Sequence, residues 1–263
     1  MDNQSESEKQ NNFQSLDPLG RFSTRAALYN NRARYPDGLK DYLRVVCGFQ
    51  PKFEVADVGA GTGFLTAVLL EIGCRVYAVE PNAEMRAVAE HTFRGNDHFI
   101  SLTGRAEQLP LADDSVEAVT VGQALHWFNI EEARPEFLRV LKPGRLVLVV
   151  DNRSRDYETP LMQACRTFQR EHFTDLGTAA EPPLRVVKLF EGVNFSQHKI
   201  PFTFSCSRQV FRDGFLSSSL APQLESTEYT SCSEGLSAIF DQYQSGEKVE
   251  LHFETVVYWG RFD

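Results

Sequence analysis

The segment Val55-Ala56-Asp57-Val58-Gly59-Ala60-Gly61-Thr62-Gly63-Phe64 constrains the fold more than any other stretch of the chain. A short apolar run enters a turn with glycine at every second position and leaves into a helix-like pattern over 64–72. Glycine lets the backbone turn tightly and approach a ligand where a Cβ would collide. Strand, glycine turn and helix in that order put the turn at the carboxyl end of a strand, where open α/β sheets bind their ligands. The alternation then continues. Short runs rich in Val, Ile or Phe at 53–57, 75–80, 99–103, 116–121 and 146–150 are separated by helical stretches at 64–72, 83–93 and 130–141. This predicts a parallel sheet covered on both faces. Lys142-Pro143-Gly144 is expected to stop the last of those helices, because proline cannot continue it and glycine accepts the left-handed cap.

The flanks are less regular. Phe22, Ala26, Tyr29 and Ala33 recur at helical spacing, with Arg21, Arg25 and Arg32 on a neighbouring face. Beyond Val150, 160–174 reads as helix, 177–183 as loop, 202–205 as strand, 211–220 as helix and 249–259 as a strand that closes the sheet. The polar N-terminus lacks the apolar or Arg-rich character of a targeting sequence and reads as disordered. No apolar run nears the roughly 18 residues of a membrane helix. With 27 Lys and Arg against 36 Asp and Glu, the net charge of −9 makes nucleic-acid phosphates a poor partner. Residues 20–52 nevertheless carry seven basic and two acidic side chains, either a solvated helix face or an anion-facing one. Cys47, Cys74, Cys165, Cys206 and Cys232 are odd in number and contain no CxxC pair. They fit a reducing cytoplasm better than a disulfide framework or a zinc site.

Spacing within the glycine turn bears on the ligand. Glu80 follows Gly59 by 21 residues, at the end of the next apolar run, where a carboxylate can accept both hydroxyls of a ribose. A dinucleotide fingerprint is GxGxxG. Here the glycines are Gly59, Gly61 and Gly63, and Phe64 occupies the third-glycine position. Asp57 is a poor neighbour for a pyrophosphate at the helix N-terminus and a good one for a cationic ligand. The loop therefore favours S-adenosylmethionine (SAM) over NAD, with a purely structural turn as the remaining alternative.

DVGAGTG, VYAVEPNAEM, GRAEQLPLADDSVEAVTVGQALHWF and FLRVLKPGRLVLV, in that order, resemble a class I SAM-dependent methyltransferase. Among these the chain looks most like the small-molecule branch typified by trans-aconitate methyltransferase. Arg32-Ala33-Arg34-Tyr35-Pro36 is similar to that family's N-terminal Arg-Pro-x-Tyr-Pro motif with the first proline lost. The resemblance implies an α/β, Rossmann-like, doubly wound fold: a seven-stranded, mostly parallel sheet with an antiparallel closing strand and a C-terminal insertion. It also implies an organisation: a tail at 1–18 and one domain at 19–263. That domain divides into lid helices at 19–52, a SAM-binding core at 53–150, an acceptor-side insertion at 151–248 and a closing strand at 249–263.

Family roles carried to matching positions define an expected site. Gly59, Ala60 and Gly61 would back the methionine and ribose, and Asp57 would act through the loop and the methionine ammonium. Glu80 would hold the ribose and Asn82 border the adenosine. Ala106 and Glu107 would meet the adenine edge through a backbone N–H and a carboxylate, and Gln123 would face the methionine end. His126 is the candidate general base, against the alternative that it only orients its loop; its ordinary pKa of about 6.5 suits that task. Trp127 would wall the acceptor pocket. The exocyclic-amine methylases' Asn/Asp-Pro-Pro-Tyr/Phe turn is replaced by Gln123-Ala124-Leu125-His126. Asp151-Asn152 is only half of a catechol-type metal site and is read as the start of a turn, so no metal is expected. A small-molecule acceptor remains, with Arg21, Arg25, Tyr29 and Arg32 as its expected contacts if it is a carboxylate, and S-adenosylhomocysteine as the coproduct. A SAM-binding protein without methyl transfer and an NAD-dependent dehydrogenase are the alternatives.

Overall fold

A computed structural model describes residues 26–29, 31–155, 158–173, 183–218, 220–224 and 226–262. Their helices are α1 (Ala26–Tyr29), α2 (Asp37–Val45), α3 (Phe64–Ile72), α4 (Ala83–Thr92), α5 (Ile130–Val140), α6 (Pro160–His172), α7 (Leu184–Leu189), α8 (Arg208–Leu216) and α9 (Thr227–Tyr243). The strands are β1 (Glu54–Val58), β2 (Arg75–Val79), β3 (Phe99–Leu102), β4 (Val116–Gly122), β5 (Leu141–Ser154), β6 (Phe195–Cys206) and β7 (Val249–Phe262). They form one seven-stranded, mostly parallel sheet with the order β3-β2-β1-β4-β5-β7-β6 and one antiparallel pair. The order reverses between β1 and β4, the topological switch point of a doubly wound sheet. The expected closing strand, β7, lies inside the sheet, and β6 forms the edge.

The chain divides into two compact units. The larger comprises the described residues of 34–152, 183–200 and 255–262. Its strand interiors alternate in the faces they cover. Val55, Val76, Ala118, Leu146, Leu148 and Val150 pack with Leu39, Leu43, Leu65 and Leu69 of α2 and α3. Ala56, Val58, Val119, Val121, Val147 and Val149 pack with Ala133, Phe137 and Val140 of α5 and with Val186 and Leu189 of α7. Burial on both faces explains why these strands read as continuous apolar runs.

The second unit comprises the described residues of 26–33, 153–173 and 201–254. Its core joins Leu161, Met162, Cys165 and Phe168 of α6, Phe211 and Leu216 of α8, and Cys232, Leu236 and Phe240 of α9. The expected insertion at 151–248 is thus shared between the units, because 183–200 belong with the larger one. The expected tail at 1–18 lies outside the described residues, as do Arg21, Phe22, Arg25 and most of 177–183.

Two local expectations are corrected. Helix α5 stops at Val140, within a residue of the end expected ahead of Lys142-Pro143-Gly144, but its C-cap is the extended Leu141 and those three residues lie within β5. Asp151-Asn152 does not begin a turn, since β5 runs on to Ser154 and Asn152 Oδ1 accepts the Thr255 hydroxyl at 2.7 Å. Helices α7 and α9 lack counterparts in the sequence reading, whereas α2 falls within the helices expected at 19–52. Among the described residues no helix is long and apolar enough to cross a membrane.

Candidate functional site

The glycine turn leaves β1 at the switch point, and all three glycines have left-handed backbones, with φ of 68°, 58° and 91° at Gly59, Gly61 and Gly63. Two also make room. A Cβ on Gly59 would lie 2.7 Å from Ala124 Cβ, and one on Gly63 would lie 2.4 Å from the Phe93 ring. At Gly61 a Cβ would meet only Met85 Sδ at 3.6 Å, an ordinary contact, so the left-handed φ is what calls for glycine there. The N–H groups of Gly59 and Ala60 donate to the Val79 carbonyl, tying the turn to the end of β2.

Asp57 closes the turn from beneath. It is fully buried; Oδ2 accepts the Thr66 hydroxyl at 2.6 Å and Oδ1 the Thr120 hydroxyl at 3.0 Å. It also accepts the Thr66 backbone N–H, so it caps the first turn of α3, where Gly63 offers no side chain. Burial pushes its pKa up to about 6, against the lowering effect of these hydrogen bonds. Asp57 thus supports the loop from within the core. An anion already serves this helix end, which makes it a poor seat for the pyrophosphate of a dinucleotide.

Glu80, just beyond β2, faces the turn. Its Oε2 accepts the Gly61 N–H at 2.9 Å and its Oε1 the Asn82 N–H at 2.8 Å. Burial raises its pKa, and the two backbone donors work against that shift. Each oxygen keeps a second lone pair for an incoming hydroxyl. Asn82 does not stand free beside an adenosine site: its Oδ1 accepts the Met85 N–H at 2.9 Å and caps α4.

The remaining expected residues occupy two neighbouring loops. Ala106 is buried. Glu107 Oε1 accepts the Asn129 N–H at 2.8 Å and Oε2 lies 3.7 Å from Arg105 Nε. Gln123, directly after β4, has a left-handed backbone, uncommon for a non-glycine residue, and its N–H donates to the Val150 carbonyl at 2.9 Å. His126 and Trp127 lie in the 3-10 turn Leu125–Trp127, their rings 4.9 Å apart, with Trp127 partly buried against the core. Tyr35 and Gly122 were missed. A Cβ on Gly122 would lie 2.9 Å from the Tyr35 hydroxyl, so that ring covers the end of β4. The signal was present as a glycine closing an apolar run and a tyrosine in the N-terminal motif.

Of the four N-terminal candidates, Arg21 and Arg25 lie outside the described residues. Tyr29 and Arg32 fall in the second unit and engage one another, with the guanidinium 4.4 Å from the ring centroid. Arg32 Nε also donates to Ser217 Oγ at 2.7 Å. The arginine expected to face an acceptor carboxylate is thus held by α1 and by the residue that ends α8.

Residues 56–149 match the family described as a methyltransferase domain. Over that stretch the chain is similar to methyltransferase domains. An uncharacterized methyltransferase of Mycobacterium tuberculosis is 42% identical over 128 residues, 48% of this chain and 50% of that protein. The chain thus matches about half the length of that relative. An uncharacterized methyltransferase of Schizosaccharomyces pombe is 28% identical over 254 residues, 91% of this chain and 96% of that one. The crystal structure of the YcgJ protein from Bacillus subtilis shares the fold at a TM-score of 0.56, with 20% identity, covering 86% of this chain and 99% of that one. The turn, Asp57, Glu80, Ala106 and Gln123 all lie inside the matched stretch; Arg32 and Tyr35 lie outside it.

Proposed function

We propose that the chain binds SAM at the carboxyl edge of β1, β2 and β4 and directs its methyl group to a small-molecule acceptor, a carboxylate or hydroxyl of a metabolite. The observation that carries this reading is Glu80, a buried carboxylate fixed by the Gly61 and Asn82 N–H groups at the mouth of a glycine turn whose helix end is already capped by Asp57. That arrangement fits a ribose diol and disfavours a pyrophosphate. Bound SAM would supply an electrophilic methyl on a sulfonium: an acceptor lone pair would attack that carbon in line, and the C–S electron pair would leave with S-adenosylhomocysteine.

The chain's own residues do the positioning. Gly59, Ala60 and Gly61 give a backbone wall with no side chain larger than a methyl, and Gln123 and Trp127 border the end of β4 where the acceptor enters. His126 stands in the same turn as the candidate to take a proton, when the acceptor has one to lose. Holding nucleophile, carbon and sulfur aligned is the main contribution such a site makes. Arg32 is engaged by Tyr29 and Ser217, so a carboxylate acceptor would rely on other cations. Buried, widely spaced cysteines support work in a reducing compartment, the cytoplasm.

Calorimetric titration with S-adenosylhomocysteine tests the reading. Glu80→Ala is expected to weaken binding by about 1.5–3 kcal/mol, the range for hydrogen bonds to a charged group. Unchanged affinity would remove Glu80 from the site. Tight binding of NAD in its place would favour a dehydrogenase. Tritium transfer from labelled SAM into a metabolite pool separates an enzyme from a protein that only binds.

A further inference from the structure

We infer that Arg139 is a positioning residue for cofactor recognition: from the last turn of α5 it holds the 104–113 loop in the conformation that meets the cofactor's base. This rests on the proposed SAM site together with the expectation, drawn from the resemblance, that the Ala106 N–H and the Glu107 carboxylate meet the adenine edge.

The guanidinium uses all five of its N–H donors. Nε and Nη2 form a fork on Glu136 Oε1 and Oε2, each at 2.8 Å. Nη2 also reaches the Leu109 carbonyl at 3.2 Å, and Nη1 donates to the Leu111 carbonyl at 2.9 Å and to Asp113 Oδ1 at 2.7 Å. Glu136 Oε2 accepts the Leu109 N–H at 2.9 Å, so both backbone groups of Leu109 are bound by this one ion pair. The Asp114 N–H donates to the Arg139 carbonyl at 2.9 Å. The near half of the loop is closed as well. A Cβ on Gly104 would lie 2.6 Å from Pro110 Cδ, Arg105 and Gln108 form a bridge, and Glu107 is tied to the Asn129 N–H.

A connection from β3 to β4 needs none of this to cross from one strand to the next. The bonds set where the 105–108 backbone points, because Ala106 and Leu109 are buried on either side of Glu107 and the arginine fixes the exit. Only a planar fork can serve Glu136 and two carbonyls together; a lysine ammonium has three donors and no fixed plane. The base is met by backbone groups whose direction this fork sets, so adenine should be told from its 6-oxo analogue only while the fork is intact.

The experiment compares S-adenosylhomocysteine with S-inosylhomocysteine, in which an oxo group replaces the 6-amino group, by titration of the full chain, with melting temperatures recorded in parallel. The unaltered protein is expected to prefer the adenine form at least about fivefold, the scale of one neutral hydrogen bond. In Arg139→Lys that preference should collapse to within about twofold while adenine-form affinity drops roughly tenfold. Glu136→Gln, which keeps an acceptor for Leu109 but weakens the fork, should fall between and covers the case in which the lysine variant does not fold. A purely structural arginine predicts otherwise: a lower melting temperature with the base preference preserved, and that outcome overturns the inference alone. An unaltered protein that binds both compounds equally overturns the base-reading loop and with it this role. One that binds neither overturns the SAM site itself.

Discussion

Asp57 places a carboxylate where water does not reach, and its surroundings only partly compensate. Thr66 and Thr120 donate to it, yet burial keeps its proton on up to about pH 6, against 3.8 for an ordinary aspartate. Between those values the folded chain holds a proton that the unfolded chain has released. Its contribution to stability is therefore lost as pH rises from about 4 to about 6, by roughly 2–3 kcal/mol in total. Asp57→Asn removes the titration, so urea unfolding across this range should show a flatter slope than the unaltered protein. Glu80, whose pKa is also raised, leaves a residual slope of the same sign in both. Superimposable profiles would mean that Asp57 is not protonated in the fold. Asp57 was legible in the sequence as the acid two residues before the glycine turn, and Thr66 stands nine positions on. Thr120 was not legible, because its hydroxyl arrives from a strand 63 residues away.

At the scale of elements, α3 and α4 meet at Gly63, and the junction is tight. The residue is left-handed at 91°, and a Cβ would collide with Phe93 at 2.4 Å. Gly63→Ala should cost about 1–3 kcal/mol from backbone strain alone, with overpacking added. Phe93→Leu in the same chain should recover the overpacking and leave the strain, a coupling readable from a double-mutant cycle in urea. Full additivity would show that the two do not touch. Helices with an apolar stripe, such as α3, were legible with their ends. Helix α9 was not, because six of its 17 residues are Ser, Thr or Gly and its buried stripe is only Cys232, Leu236 and Phe240. Its N-cap, Ser226 accepting from the Tyr229 N–H, is a signal that could have found it.

At the scale of the whole molecule, the described residues form three buried clusters, two in the larger unit and one in the second, and the last can be perturbed by itself. Phe211 is buried against Phe215 and Phe240 in the second unit, so Phe211→Ala should cost about 3–5 kcal/mol there. Hydrogen exchange should speed up across 160–172, 208–216 and 227–243. S-adenosylhomocysteine binding should persist, since Asp57, Glu80 and the glycine turn belong to the larger unit. Loss of binding together with the exchange protection would show that the site needs the second unit's core. By itself the sequence determined the parallel sheet, the glycine turn and the resemblance to methyltransferase domains, because each is written in residues close together along the chain, where periodicity reports burial and glycine reports backbone geometry. Only the tertiary structure decided that β7 lies inside the sheet, that Arg32 answers Ser217, and that one guanidinium at Arg139 fixes a loop as far back as Leu109. Those outcomes depend on which groups meet across long separations, and a side chain's type states what it can bond with but not what will stand beside it.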